Sequence, residues 1–362
     1  MPDVFEIADI LVDDIRKRFA DCVAIVAYYG SYANGTATPR SDLDFFFIPD
    51  GPGASGASLQ FIIDGIGFDF WPISWARAER IASFDEAIVS VIADCRILYS
   101  RSPVDLERFE ALRERIRSMS LPENRALMVR KARNAFKDCY PQLFRIMEAD
   151  RQVDLSKVRR HAARLASVAA SSLALLNQTY FRKGMGQNMT EIMALDLKPD
   201  GLDSLLGVVS SSTVCAEIRA ACETLVDKTD VLISGEEAAL RKMASFSDAF
   251  EGFHEEALST YNKIVTACDR GDRETAFYAS LHLQEELEGA LESAFGKNAY
   301  RDLGLTDLAA VFDADDLASL RNVVTGLEAR VRGILEAHGV TLKEFDSPEA
   351  LREYLTFALP SA

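Results

Sequence analysis

The chain has 362 residues, of which 48% are hydrophobic and 27% charged, and its formal net charge is −16. That length supports two or three domains with cores of their own, and the balance of apolar and charged residues is that of a globular protein rather than a disordered one. The strong acidity disfavours long-range attraction to nucleic acid or to an anionic membrane.

Residues 5–20 read as an amphipathic helix, with Ile7, Ile10, Leu11, Ile15 and Phe19 close to one face. The apolar run from Cys22 to Tyr29 has strand length and is apolar on both faces, as a central strand is. Gly30-Ser31 ends it. A second strand is expected from Asp42 to Ile48, stopping at Pro49, followed by a loop to Ser58 rich in Gly, Pro and Ser. Leu59–Ile63 and Ile66–Ile73 flank Asp64-Gly65, a pair suited to a tight hairpin turn. Residues 74–93 look helical, and Cys95–Tyr99 is a last short strand before Ser102-Pro103.

Beyond residue 104 strand signals nearly vanish. Helices are expected over 105–117, 123–148, 154–181, 202–210, 214–225, 235–249, 251–269, 273–295, 305–311 and 314–338, with a short last one opened by Ser347-Pro348-Glu349. The small residues at 3-4 spacing in 154–181 permit close helix packing. The pattern is that of an α+β chain: an N-terminal domain of strands and helices over 1–103, then an all-α region with a boundary near residue 250 that divides it into 104–250 and 251–362, unless the two are continuous.

The chemistry concentrates at residues 30–44. Asp42 and Asp44 are one residue apart, so on a strand both carboxylates project to one side. Two like charges that close repel unless a cation lies between them, and Mg²⁺, which takes oxygen ligands, suits the place. Gly30 allows close approach of backbone to a ligand, and Ser31 is placed to cap a following short helix whose free N–H groups favour an anion. Asp69 is the lone charge in the apolar segment Gly67–Trp71, which marks it against Asp64, an ordinary turn residue.

Gly30-Ser31, ten residues, then Asp42-Leu43-Asp44 resembles the nucleotidyltransferase superfamily that includes DNA polymerase β, and within it the small-molecule and minimal nucleotidyltransferases. The resemblance covers roughly residues 20–100 and implies a small mixed sheet flanked by helices in the N-terminal domain. It implies a nucleoside triphosphate held at Gly30 and Ser31, and two metal ions held by Asp42, Asp44 and a third carboxylate. Asp69 is the choice for the third, as ligand or as acceptor of the hydroxyl proton. Arg40 and Ser41 flank the metal pair as nucleotide contacts. In relatives that modify aminoglycosides a helical domain closes over the catalytic one, which by resemblance makes 104–250 the substrate-closing part. Tyr180 and Lys183, in Tyr180–Gly184, are then candidates to stack on the base and to bind triphosphate.

The expected activity is Mg²⁺-dependent transfer of a nucleoside monophosphate, AMP from ATP, to a hydroxyl of a small acceptor, with release of pyrophosphate. An aminoglycoside-like antibiotic suits the layout and the acidic charge. The alternatives are a protein-AMPylating enzyme of the toxin–antitoxin type and a non-catalytic nucleotide-binding regulator. Neither nucleic acid nor membrane is expected as a partner, whereas the helical region offers a surface for a second copy or another protein. Scattered cysteines, no apolar run long enough to span a bilayer and an acidic N-terminus point to a cytoplasmic protein with reduced thiols. The four histidines, His161, His254, His282 and His338, show no metal spacing. Arg332 and His338 resemble the Arg-to-His motif of HEPN-type ribonucleases, but Gly333 stands where a polar residue belongs, and the match is read as coincidence.

Overall fold

The computed structural model describes residues 4–240, 250–296 and 298–358. The chain forms two compact units, Met1–Leu240 and Arg241–Ala362. The first holds the sheet and the helices that build the candidate site.

Five strands make one mixed sheet: β1 (Val23–Tyr29), β2 (Asp44–Pro49), β3 (Leu59–Ile63), β4 (Ile66–Pro72) and β5 (Arg96–Ser100). Their order is β3-β4-β2-β1-β5, with β2 and β4 parallel and the other neighbours antiparallel. The apolar runs of β1 and β2 become interior strands, both of whose faces are covered. Phe45 and Phe47 pack beneath α1 (Val4–Arg18), while Phe46 and Ile48 face the opposite layer. That layer contains α3 (Trp75–Ala82), α4 (Ser90–Ala93) and α5 (Pro103–Ser118), reached after the short α2 (Gly30–Ala33). The Asp64-Gly65 turn takes positive φ at both positions, 49° and 78°, as a hairpin turn matching strand twist requires.

The expected single helix over 74–93 is two, broken where Phe84 adopts φ 61° and buries its ring beside Tyr180. The expected helix 123–148 likewise divides into α6 (Arg125–Phe136) and α7 (Cys139–Arg151). Next come α8 (Leu155–Leu176), α9 (Met189–Met193), α10 (Leu202–Ser211) and α11 (Cys215–Leu240). Asp154 caps α8 by accepting from the Lys157 N–H at 3.0 Å. Ala162, Ala166, Ala169 and Ser172 are buried along α8, so α6, α7 and α11 pack closely on it. The separate helices expected at 214–225 and 235–249 are one continuous α11 as far as Leu240; 241–249 lie outside the described residues.

The second unit is helical. Helices Phe253–Arg270, Arg273–Phe295 and Leu317–Ala337 bury Ile264, Leu283, Leu287, Val324 and Leu335 in a core of their own. Ser347 caps the final helix, its Oγ accepting from Ala350 N–H at 3.2 Å. All six cysteines are free thiols. Among the described residues no helix is long and apolar enough to cross a membrane.

Candidate active site

Strand β1 delivers the chain to Gly30, whose φ of +75° lies in the left-handed region. A Cβ built there would overlap Oδ2 of Asp44 and stand 3.1 Å from its Cγ, so the missing side chain lets the carboxylate lie against the turn. Backbone bonds from Asn34 N–H to the Gly30 carbonyl (3.1 Å) and from Thr36 N–H to that of Ser31 (2.8 Å) close the segment. Tyr29, not Ser31, occupies the cap position of α2, and no side chain caps it. The capping role expected of Ser31 is therefore corrected: the residue lies inside the helical turn and lines a cleft.

Ser41 ties down the approach to the aspartates. Its Oγ accepts from Thr38 N–H at 2.9 Å and its own N–H donates to the Thr38 carbonyl at 3.0 Å. Asp42 precedes β2 instead of lying in it, but buried Leu43 between two half-buried aspartates preserves the alternation. Asp44 is paired across the sheet with Tyr29. On the other side the parallel register sets Phe45 against Phe70 and Phe46 against Trp71, which carries Asp44 abreast of Asp69. Tyr29, Asp44 and Asp69 thus form a row across the three interior strands of the sheet.

The electrostatics follow from that row. Burial, then the charge of Asp42, then that of Asp69, raise the Asp44 carboxyl to about 6. The Tyr29 phenol is pushed up to about 12, mainly by burial and then by Asp44, while its oxygen accepts from Trp71 Nε1 at 3.2 Å. Asp69 is exposed, accepts from Gln60 Nε2 at 2.7 Å and does not line the cleft. Among the described residues no group of three His, Cys, Asp or Glu side chains is gathered closely enough to hold a metal ion. The donor set nevertheless fits a hard divalent cation: two cleft carboxylates repel across a short gap, with a third within electrostatic range.

The cleft has a volume of about 510 Å³. Gly30, Ser31, Ser41, Asp42 and Asp44 form its sheet side. Opposite are Ser167, Ala170 and Ser171 of α8 and the segment 181–188, which includes Lys183. Asn34 Nδ2 reaches the Arg182 carbonyl at 3.5 Å and links the two sides. Arg40 is exposed and does not line the cleft. Tyr180 does not line it either: its hydroxyl donates to Asp94 at 3.2 Å and its ring meets Phe84 edge-on. Helix α8 ends at Leu176, so Tyr180–Gly184 is a loop and not the end of that helix.

Residues 8–111 match the nucleotidyltransferase domain family and residues 106–239 match the KNTase C-terminal domain family. The chain belongs to the nucleotidyltransferase superfamily. A solved structure of a nucleotidyltransferase-like protein from Exiguobacterium sibiricum 255-15 is similar over 82% of this chain and 92% of its own, at 9% identity and a TM-score of 0.40. No curated protein matches the sequence.

Two cleft residues of this nucleotidyltransferase escape sequence reasoning. Asn188 is buried at the cleft wall with Oδ1 unpartnered. Its place before α9 reads as an N-cap, but its side chain makes no capping bond. Asp94, between α4 and β5, lines the cleft and carries a buried Oδ2 whose nearest cation, Arg182 Nε, is 3.8 Å away. In the second unit, Arg332 is bound by Glu336 and Glu344, and His338 Nδ1 lies 2.8 Å from the Ile334 carbonyl, so both members of the apparent HEPN pair have local structural roles.

Proposed function

We propose that this nucleotidyltransferase moves a nucleoside monophosphate, AMP from ATP, to the hydroxyl of a small molecule. The observation that carries the reading is the cleft in which Gly30, Ser31, Asp42 and Asp44 face the helical domain's Lys183 and Asn188. Asp42 and Asp44, with Asp69 beside them, are the residues to hold Mg²⁺, which when bound supplies positive charge to the triphosphate oxygens and relieves the repulsion between the carboxylates.

The chain's own groups bind and orient the reactants. Ser31 lines the cleft beside Gly30 and is the residue to contact the β- and γ-phosphates. Lys183 adds a cation from the opposite wall. The acceptor oxygen attacks the α-phosphorus, an O–P bond forms, the bond to the β-phosphate bridging oxygen breaks, and pyrophosphate leaves. The hydroxyl proton passes to a carboxylate of the Asp44–Asp69 row. Holding the acceptor in line with the scissile bond accounts for much of the acceleration expected of such a site.

The test is label transfer from ATP labelled at the α-phosphate, with Mg²⁺ and a panel of hydroxylated small molecules. Label on a small acceptor with stoichiometric pyrophosphate is the expected result. Label on a protein in place of a small acceptor would overturn it.

A further inference from the structure

The cleft walls bear on what carries the accepting hydroxyl. On the helical side, segment 181–188 brings Arg182 and Lys183 and no carboxylate, and α8 contributes only Ser167, Ala170 and Ser171. The carboxylates in the cleft are Asp42, Asp44 and Asp94. The first two are the cation ligands of the proposed reaction. The third accepts from Tyr180 and faces Arg182. Only Asp94 Oδ2, which has no hydrogen-bond partner, is left to an ammonium group, so a molecule carrying several of them finds one carboxylate oxygen here and no more.

A second hollow of about 580 Å³ adjoins the cleft and shares Asn34, Thr36, Asp94, Arg182 and Lys183 with it. Its lining adds Arg96 and Arg113, giving four basic side chains against two acids, Asp94 and Glu191. Glu191 is engaged by the Arg182 backbone N–H at 2.8 Å. Arg113 is fixed in place, Nε on the Ile92 carbonyl at 3.2 Å, one terminal nitrogen on the Cys95 carbonyl at 2.5 Å and the other on Glu110 at 2.8 Å. The Arg96 and Lys183 side chains have no ion pair or hydrogen bond among the described residues. In a chain with 56 acidic and 40 basic residues, unpaired cations gathered in one hollow mark a place for an anion.

We infer that this hollow is an anion subsite, and that the acceptor is a hydroxyl compound bearing a phosphate or carboxylate, not a polycation. The inference rests on the nucleotidyltransfer reading above. The acceptor's anionic group sits at Arg96, which lines the hollow and not the cleft, while Lys183 is left to the triphosphate; the acceptor's hydroxyl enters the cleft past Asn34 and Thr36. The triphosphate tail carries the same phosphate chemistry, so the experiment must separate the two sources.

Inorganic phosphate is the probe, titrated into full-length protein saturated with a non-hydrolysable ATP analogue. Expected is phosphate binding that persists with the analogue bound and weakens about tenfold or more in Arg96→Ala. Loss of phosphate binding on saturation with the analogue would assign the hollow to the triphosphate and overturn the proposal. In the transfer assay, acceptors such as sugar phosphates and hydroxy acids should take the label and aminoglycosides should not; label on an aminoglycoside overturns the inference while leaving nucleotidyltransfer standing. Failure of the analogue to bind at all, with phosphate still bound at Arg96, would instead count against nucleotidyltransfer and leave the anion subsite intact.

Discussion

The Asp44 carboxylate lies against the backbone of Gly30 so closely that any Cβ at position 30 would occupy the place of Oδ2. One glycine therefore serves two needs, a left-handed turn after β1 and room for the Asp44 carboxylate. Gly30→Ala should cost roughly 1–2 kcal/mol in backbone strain and displace Asp44. A displacement of about 1 Å at reacting groups lowers rates by about 10²-fold. We expect a loss of that order in transfer while far-UV circular dichroism stays unchanged. Full activity in this variant would show that the contact has no bearing on the chemistry.

Asp44 gives a pH prediction. Its carboxyl is raised from 3.8 to about 6, so the folded protein holds this proton more tightly than the unfolded chain. The associated stability is present below about pH 4 and is lost as pH rises through about 6. At neutral pH without a cation, Asp44 is a liability. Asp44→Asn should then raise Tm at pH 7.5 without Mg²⁺, yet lower transfer by about 10³-fold. Mg²⁺ should raise the wild-type Tm more at pH 7.5 than at pH 5, because protons compete with the cation. A Tm that falls in the variant, or a Mg²⁺ effect independent of pH, would contradict this account.

How far the site could be read from sequence depends on how local each relationship is. Gly30, Ser31, Asp42 and Asp44 lie within fifteen positions, and the period of a strand suffices to bring the two carboxylates together. Asp69 was legible as a lone charge in an apolar strand, but its place beside Asp44 depends on a parallel pairing that skips β3, and register of that kind is not written in either strand alone. Tyr180 offers a polar tip and an aromatic ring in sequence, whereas tertiary packing gives them to Asp94 and Phe84. Asn188 is invisible for the converse reason: only the fold brings this loop amide to the cleft. The helix breaks at Phe84 and between α6 and α7 fall where local pattern still favours helix and packing decides otherwise.

Asn188 offers a separate test of the cleft. Its buried Oδ1 has no protein partner, which costs about 1–3 kcal/mol relative to a satisfied group. A ligand N–H or O–H would relieve that cost. Asn188→Leu, similar in shape and apolar, should keep or raise Tm and raise the KM of one of the two substrates by about tenfold. A lowered Tm with unchanged kinetics would make the residue a purely structural one.

The helical domain's stability rests in part on a cluster between α6 and α11. Arg133 on α6 donates to Glu237 through Nε at 3.0 Å and a terminal nitrogen at 2.9 Å, to Ser234 at 2.8 Å, and to Asp230. Its side chain is only 20% exposed, so the charge is shielded from solvent and its three partners lose their cation together if it is removed. Breaking a buried pair costs about 3–5 kcal/mol and an exposed one about 0–1; for this partly buried cluster Arg133→Ala should cost about 2–3 kcal/mol. Glu237→Ala should cost less, since Asp230 and Ser234 remain to hold the guanidinium. The two changes share one network, so the double variant should lose less than the sum of the single losses, a shortfall read directly from urea unfolding midpoints. Additive losses would mean that Arg133 and Glu237 act independently and do not form one network between α6 and α11.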